Sequence, residues 1–295
     1  MNLSSFGMDS ITLAGSLEGK LRAARDAGFS QIMLWAADLA GHPGGVHDAV
    51  RLVRASGLRV TGLQLLRDYE GQDRAWRDHK LEVAKQLLQL CQALGAPLLV
   101  VGSSAAPHGV GAPDVLARDL AELATLAAPL GVKIGYEAVS WGRHVHQLEQ
   151  AWTVVELAGH ANLGLVIDAF HVLARPASLD CLDDIPSDKV FLVQLADFLQ
   201  PDLDSDAERL DTARHACVFP GQGVHSAQLA DLLRRLDQGG YRGDYSVEVS
   251  NDDYLQLPPA VVAQHACRSA KWVTDQVLRR SPDIRRRPVS HPTML

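Results

Sequence analysis

The chain has 295 residues and a formal charge of −7, with 47% of its residues apolar and 21% charged. That length suits one α/β barrel, which spends about 250 residues on a single core, and the composition excludes a disordered chain. The acidic balance works against nucleic acid, whose binders gain affinity from clustered Lys and Arg; a small-molecule substrate is expected, and a homo-oligomer stays open.

The opening MNLSSFGMDSI lacks the basic and long apolar regions of a secretion signal, and no later stretch is apolar enough to cross a bilayer. A cytoplasmic protein with no membrane contact is expected. From there, short β-rich runs alternate with longer amphipathic segments, the mark of a parallel sheet covered by helices. The strands expected are Asn2–Phe6, Gln31–Trp35, Arg59–Gln64, Leu98–Val101, Lys133–Glu137, Gly164–Asp168, Val190–Gln194 and Tyr245–Glu248. Between them lie expected helices over Leu17–Ala27, Val46–Ser56, Trp76–Leu94, Pro113–Pro129, His146–Ala158, Ala227–Gln238 and Pro259–Leu278. Several close on a glycine, as in ALGAP and PLGVK, which suits a left-handed C-cap. Eight βα units make a (β/α)8 TIM barrel, one domain over 1–278, with chemistry at the C-terminal ends of its strands. The stretch 279–295, with its run of arginines and no apolar period, is expected to be a solvated tail. Cys91, Cys181, Cys217 and Cys267 are widely spaced and form no CxxC pair, so reduced thiols are expected.

Four residues with metal-compatible oxygens stand at four successive strand ends: Glu137, Asp168, Gln194 and Glu248. A parallel barrel brings those ends onto one rim, although they are far apart in sequence. Three crowded carboxylates repel one another unless a cation sits between them, and such an oxygen-rich set suits Mg²⁺, Mn²⁺ or Co²⁺ better than a structural zinc. Any one of these carboxylates alone is equally an ordinary rim group paired with Lys or Arg. His171, one turn past Asp168, falls near the rim and is the acid/base candidate, or else a structural histidine. Arg67 and Arg214 offer planar guanidinium groups that match a substrate carboxylate. Arg143 is a candidate at the mouth, His144 a weaker one, and His146 reads as a helix start. The glycines of Gly221-Gln222-Gly223 do not read as a phosphate cradle, since no strand precedes them and no GKS or GxGxxG follows.

The words YEAVSWGRHV, LGLVIDAFHVLAR, IPSDKVFLVQLAD, RHACVFPGQG and YSVEVSND are similar to those of bacterial 3-dehydroshikimate dehydratases, within the sugar phosphate isomerase/epimerase group of xylose-isomerase-like TIM barrels. The likeness runs from strand one through Asn251 and is strongest over 136–251. It implies a metal-dependent lyase that converts 3-dehydroshikimate to protocatechuate through an enolate, with Glu137, Asp168, Gln194 and Glu248 as metal ligands. Many isomerases of the group carry histidine on strand seven, so Gln194 favours the dehydratase branch over a sugar or inositol-derivative isomerase or epimerase. Some dehydratases add a dioxygenase-like domain after the barrel; this sequence ends before one, so the resemblance carries no claim of fused architecture over to it. An apurinic endonuclease on the same barrel calls for several zinc-bound histidines and a basic face, and neither is evident. A non-catalytic barrel that keeps a cation for stability is the remaining alternative.

Overall fold

The alternation of β-rich and amphipathic segments resolves into a closed barrel in a computed structural model that describes residues 3–175 and 177–279. Its eight parallel strands are β1 Phe6–Asp9, β2 Gln31–Trp35, β3 Arg59–Arg67, β4 Leu98–Gly102, β5 Lys133–Glu137, β6 Leu163–Asp168, β7 Val190–Leu195 and β8 Asp244–Val247. Each pairs with its neighbour in chain order, and β1 closes the ring against β8. The main outer helices are Leu17–Asp26, Gly45–Ala55, Arg74–Leu94, Pro113–Ala127, Leu148–Ala158, Ser226–Gln238 and Pro259–Trp272. Gly95 and Gly159, at φ 70° and 58°, end two of them in the left-handed conformation that costs glycine nothing. The (β/α)8 architecture expected from the sequence is therefore the one observed. The expected tail lies, apart from Arg279, outside the described residues.

The differences fall mainly at the rim. β1 is Phe6–Asp9 rather than Asn2–Phe6, because Leu3–Phe6 is a turn closed by the Phe6 N–H on the Leu3 carbonyl at 2.9 Å; Asn2 lies outside the described residues. β3 runs on to Arg67. The helix expected from His146 begins at Leu148, and His146 donates its backbone N–H to Gln150 Oε1 instead. Four rim helices were not expected: Ala36–Ala40, Asp252–Leu255, Ala169–Leu173, capped by the Asp168 carboxylate on the Phe170 N–H, and Asp206–His215, which opens on a Ser205/Glu208 capping box. The long segment after β7 also contains a two-stranded antiparallel ribbon, Asp197–Phe198 with Cys217–Val218.

The barrel lumen explains which side chains reach the rim. Met33, Leu98, Val100, Val166 and Leu192 form an apolar cluster of their own inside it. Paired residues in a parallel ladder share a face, and every second residue returns to that face. Two residues further along each strand, the inward set is Asp9, Trp35, Gln64, Gly102, Glu137, Asp168, Gln194 and Glu248, one per strand. Beneath this ring the lumen is filled by alternating large and small residues. A Cβ on Gly135 would lie 2.6 Å from Val166 Cγ2 and 3.0 Å from Leu98 Cδ1. Gly135→Ala is expected to overpack the lumen and lower stability by about 1–3 kcal/mol, read as an earlier urea unfolding midpoint.

Candidate active site

The inward ring opens into a cavity of about 230 Å³ lined by, among others, Gln64, Arg67, Glu137, Asp168, His171, Arg214 and Glu248. Glu137, Asp168 and His171 present ligand atoms that all lie within 4.8 Å of one another. His171 Nε2 is 3.8 Å from Glu137 Oε1 and 3.9 Å from Asp168 Oδ2. Gln194 completes the arc but is fully buried beneath the cavity, where its Nε2 donates to Gln64 Oε1 at 2.9 Å and to Glu248 Oε2. Its Oε1 is buried with no hydrogen-bond partner. The structure thus brings Glu137, Asp168, His171 and Glu248 together around one cavity, with Gln194 at its base and Arg67 and Arg214 above. It sets Arg143 apart: that side chain is exposed in a neighbouring basin with His146, Arg175 and Arg209. His144 does not line the cavity, and the edge of its ring lies against Gly111.

The electrostatics of the ring are those of a carboxylate set poorly matched by positive charge, with the Arg67 guanidinium pulling Glu137 down less than burial and Asp168 push it up. Burial, then the nearby Asp168 carboxylate, holds Glu137 well above the usual carboxyl range. Burial and the Asp9 charge do the same to Glu248, and burial pushes Asp168 up to about 6. Among the described residues none of these three forms an ion pair with Lys or Arg. Leaving three ionised carboxylates and an unpartnered amide oxygen in one buried ring is costly. A hard divalent cation would satisfy all four, so this donor set fits one.

His171 is held from two sides. Its Nδ1 accepts the Ser140 backbone N–H at 3.2 Å and lies 3.1 Å from Ser140 Oγ, so the proton of the neutral ring sits on Nε2. Trp141 and Phe170 pack edge-on against the ring at 4.9 and 5.3 Å, and burial pushes its pKa down to about 3. The ring is therefore neutral near pH 7, with Nε2 toward the carboxylates.

Several residues at this site carry little signal in the sequence. Asp9, fully buried with Oδ2 unpartnered, was overlooked because β1 was placed too early. Gln64 was included in its strand but, as an uncharged amide, was not singled out; period-two alternation from Gly62 was the available signal. Asp68 lines the cavity in a left-handed backbone at φ 53°, with Oδ1 accepting the Ala105 N–H at 3.0 Å. A non-glycine residue held there marks a site where geometry outranks backbone comfort.

Burial pushes the Asp9 carboxyl up to about 8, with Asp38 and Asp168 adding to it. In the folded chain it therefore keeps a proton between about pH 4 and pH 8 that the unfolded chain has lost, so its contribution favours the fold below that window and is lost through it. In metal-free protein, Asp9→Asn is expected to become more stable relative to the parent as pH rises across the window, measured by urea unfolding at several pH values. Identical pH responses of the two proteins would show that Asp9 does not titrate there.

The family model of xylose isomerase-like TIM barrels matches residues 21–273, and the chain belongs to that family. A 3-dehydroshikimate dehydratase of Pseudomonas aeruginosa is 39% identical over 266 residues, which is 90% of this chain and 41% of that protein. An inosose isomerase of Halalkalibacterium halodurans is 27% identical over 232 residues, 75% of this chain and 76% of that one. A solved fusion of a xylose isomerase-like TIM barrel with a 4-hydroxyphenylpyruvate dioxygenase superposes with a TM-score of 0.87 at 34% identity, over 94% of this chain and 44% of the fusion. The chain thus spans about two fifths of the dehydratase it matches. Among the described residues no helix is long and apolar enough to cross a membrane.

Proposed function

We propose that the chain catalyses the metal-dependent dehydration of 3-dehydroshikimate to protocatechuate, as a hydro-lyase. The observation that carries this reading is one cavity that combines the strand-end donors Glu137, Asp168 and Glu248 with two arginines, Arg67 and Arg214, over the buried amide of Gln194. Glu137, Asp168, Glu248 and Gln194 Oε1 would hold the cation, which is Mg²⁺, Mn²⁺ or Co²⁺ on the hardness of the donors. A divalent cation bound there supplies Lewis-acid stabilisation of the negative charge that builds on the substrate ketone oxygen, worth several kcal/mol.

The chain's own groups do the rest. Arg67 and Arg214 bind the substrate carboxylate and orient the ring. With Nδ1 accepting the Ser140 N–H and the ring proton on Nε2, neutral His171 presents an N–H donor to the substrate oxygens beside Glu137 and Asp168. Trp141 and Phe170 keep water from that ring. The proton α to the ketone and the β-hydroxyl leave together as water, and aromatisation makes the reaction effectively one-way. The same reading puts the chain in the cytoplasm, where its four free cysteines would stay reduced.

An inosose isomerase reading uses the same enolate chemistry, but its substrate has no carboxylate for Arg67 and Arg214. The test is to incubate the Mn²⁺-loaded chain separately with 3-dehydroshikimate and with inosose. Protocatechuate absorbance from the first, with no isomer from the second, is expected; the reverse pattern would overturn the proposal. Arg214→Leu is expected to lower kcat/KM about 10- to 100-fold, the worth of a charge-assisted hydrogen bond, with Mn²⁺ affinity unchanged. Loss of Mn²⁺ affinity in that variant would move Arg214 from substrate binding to the architecture of the ring.

A further inference from the structure

β3 and β7 stand on opposite sides of an eight-stranded barrel, so a contact between their rim residues must cross the lumen. Gln64, at the inward position of β3, makes that crossing. Its Oε1 accepts the Gln194 Nε2 at 2.9 Å, and its own Nε2 donates to Glu248 Oε1 at 3.2 Å. Both ends of one amide are thus used on two different members of the candidate cation ring. Gln64 is 4% exposed and lines the cavity, so it forms part of the floor between the site and the apolar lumen.

The direction of these bonds sets the direction of Gln194. An amide has one donor end and one acceptor end. If Gln194 were turned over, its oxygen would face Gln64 Oε1 and Glu248 Oε2, acceptor against acceptor. The observed orientation instead leaves Gln194 Oε1 as the buried atom without a partner. A neutral ligand has no charge of its own to hold it to a cation, so its orientation has to come from its neighbours.

We propose that Gln64 is a positioning residue that fixes the amide of Gln194 and the carboxylate of Glu248 so that Gln194 Oε1 is presented to a divalent cation. The proposal rests on the cation reading above, and its test separates the two. Mn²⁺ is titrated calorimetrically into the metal-free parent, Gln64→Met, Gln194→Leu and the double variant, with Gln64→Leu as a second substitution should the methionine variant fold poorly. The visible absorption of bound Co²⁺ is recorded for each as a report on coordination geometry, and far-ultraviolet circular dichroism checks the fold.

The parent is expected to bind one Mn²⁺. Gln64→Met is expected to weaken binding about 10- to 100-fold, as loss of a group that orients a ligand does, and to alter the Co²⁺ spectrum with the fold intact. On the Gln194→Leu background the same substitution is expected to cost much less, because most of its effect runs through Gln194. A Gln64→Met chain that binds Mn²⁺ within about twofold of the parent, or a loss that adds in full on the Gln194→Leu background, overturns the role of Gln64 while the cation site stands. A parent that binds no Mn²⁺ overturns the cation site itself.

Discussion

Removal of divalent cations by chelation and dialysis is expected to lower 3-dehydroshikimate turnover by about three orders of magnitude or more, and added Mg²⁺, Mn²⁺ or Co²⁺ to restore it. The size follows from the several kcal/mol that a Lewis acid contributes at a developing oxyanion. Nothing else in the cavity replaces it: the remaining cationic groups are Arg67 and Arg214 at the mouth, and His171 is neutral, its pKa pushed down to about 3 by burial. The measurement is protocatechuate formation before and after metal return. Full turnover in chain shown to be metal-free by elemental analysis would end the Lewis-acid account.

Replacement of Gln194 by leucine is expected to have the next largest effect. The side chain is fully buried, so leucine of similar size keeps the lumen filled and the fold close to that of the parent. What is lost is Oε1, the orphaned oxygen, together with the bonds from Nε2 to Gln64 and Glu248. Mn²⁺ affinity should fall about 100-fold or more, above what outer ligands of a metal site contribute, and turnover at low metal should fall with it. The unfolding midpoint of the metal-free protein should move little. A leucine variant with parental affinity and turnover would make Gln194 a packing residue and remove the feature that separates the dehydratase reading from a generic carboxylate ring.

Much of this site was legible from the chain alone, and the reason is the barrel. Glu137, Asp168, Gln194 and Glu248 each follow an apolar run, and a parallel barrel carries such ends to one rim wherever they lie in sequence. Asp9 escaped because the strand expected over Asn2–Phe6 ends before it, while pairing with β2 and β8 sets the strand at Phe6–Asp9. Asp206–His215 escaped because DAERLDTARH has no apolar period; the Ser205/Glu208 capping box was the local signal for it. Arg143 belongs to the same strand-end loop as Trp141, but the turn Gly142–His146 sends it to the basin beside the cavity. Such loop directions are set by contacts distant in sequence, which periodicity does not record.

The cation site itself is tested most directly by anomalous scattering from crystals of the chain grown with Mn²⁺. The expected result is one strong peak bounded by Glu137, Asp168, Gln194 Oε1 and Glu248, at roughly 2.0–2.3 Å from each donor oxygen. A peak elsewhere, or none at saturating Mn²⁺ with these four side chains arranged as they are here, would contradict the account.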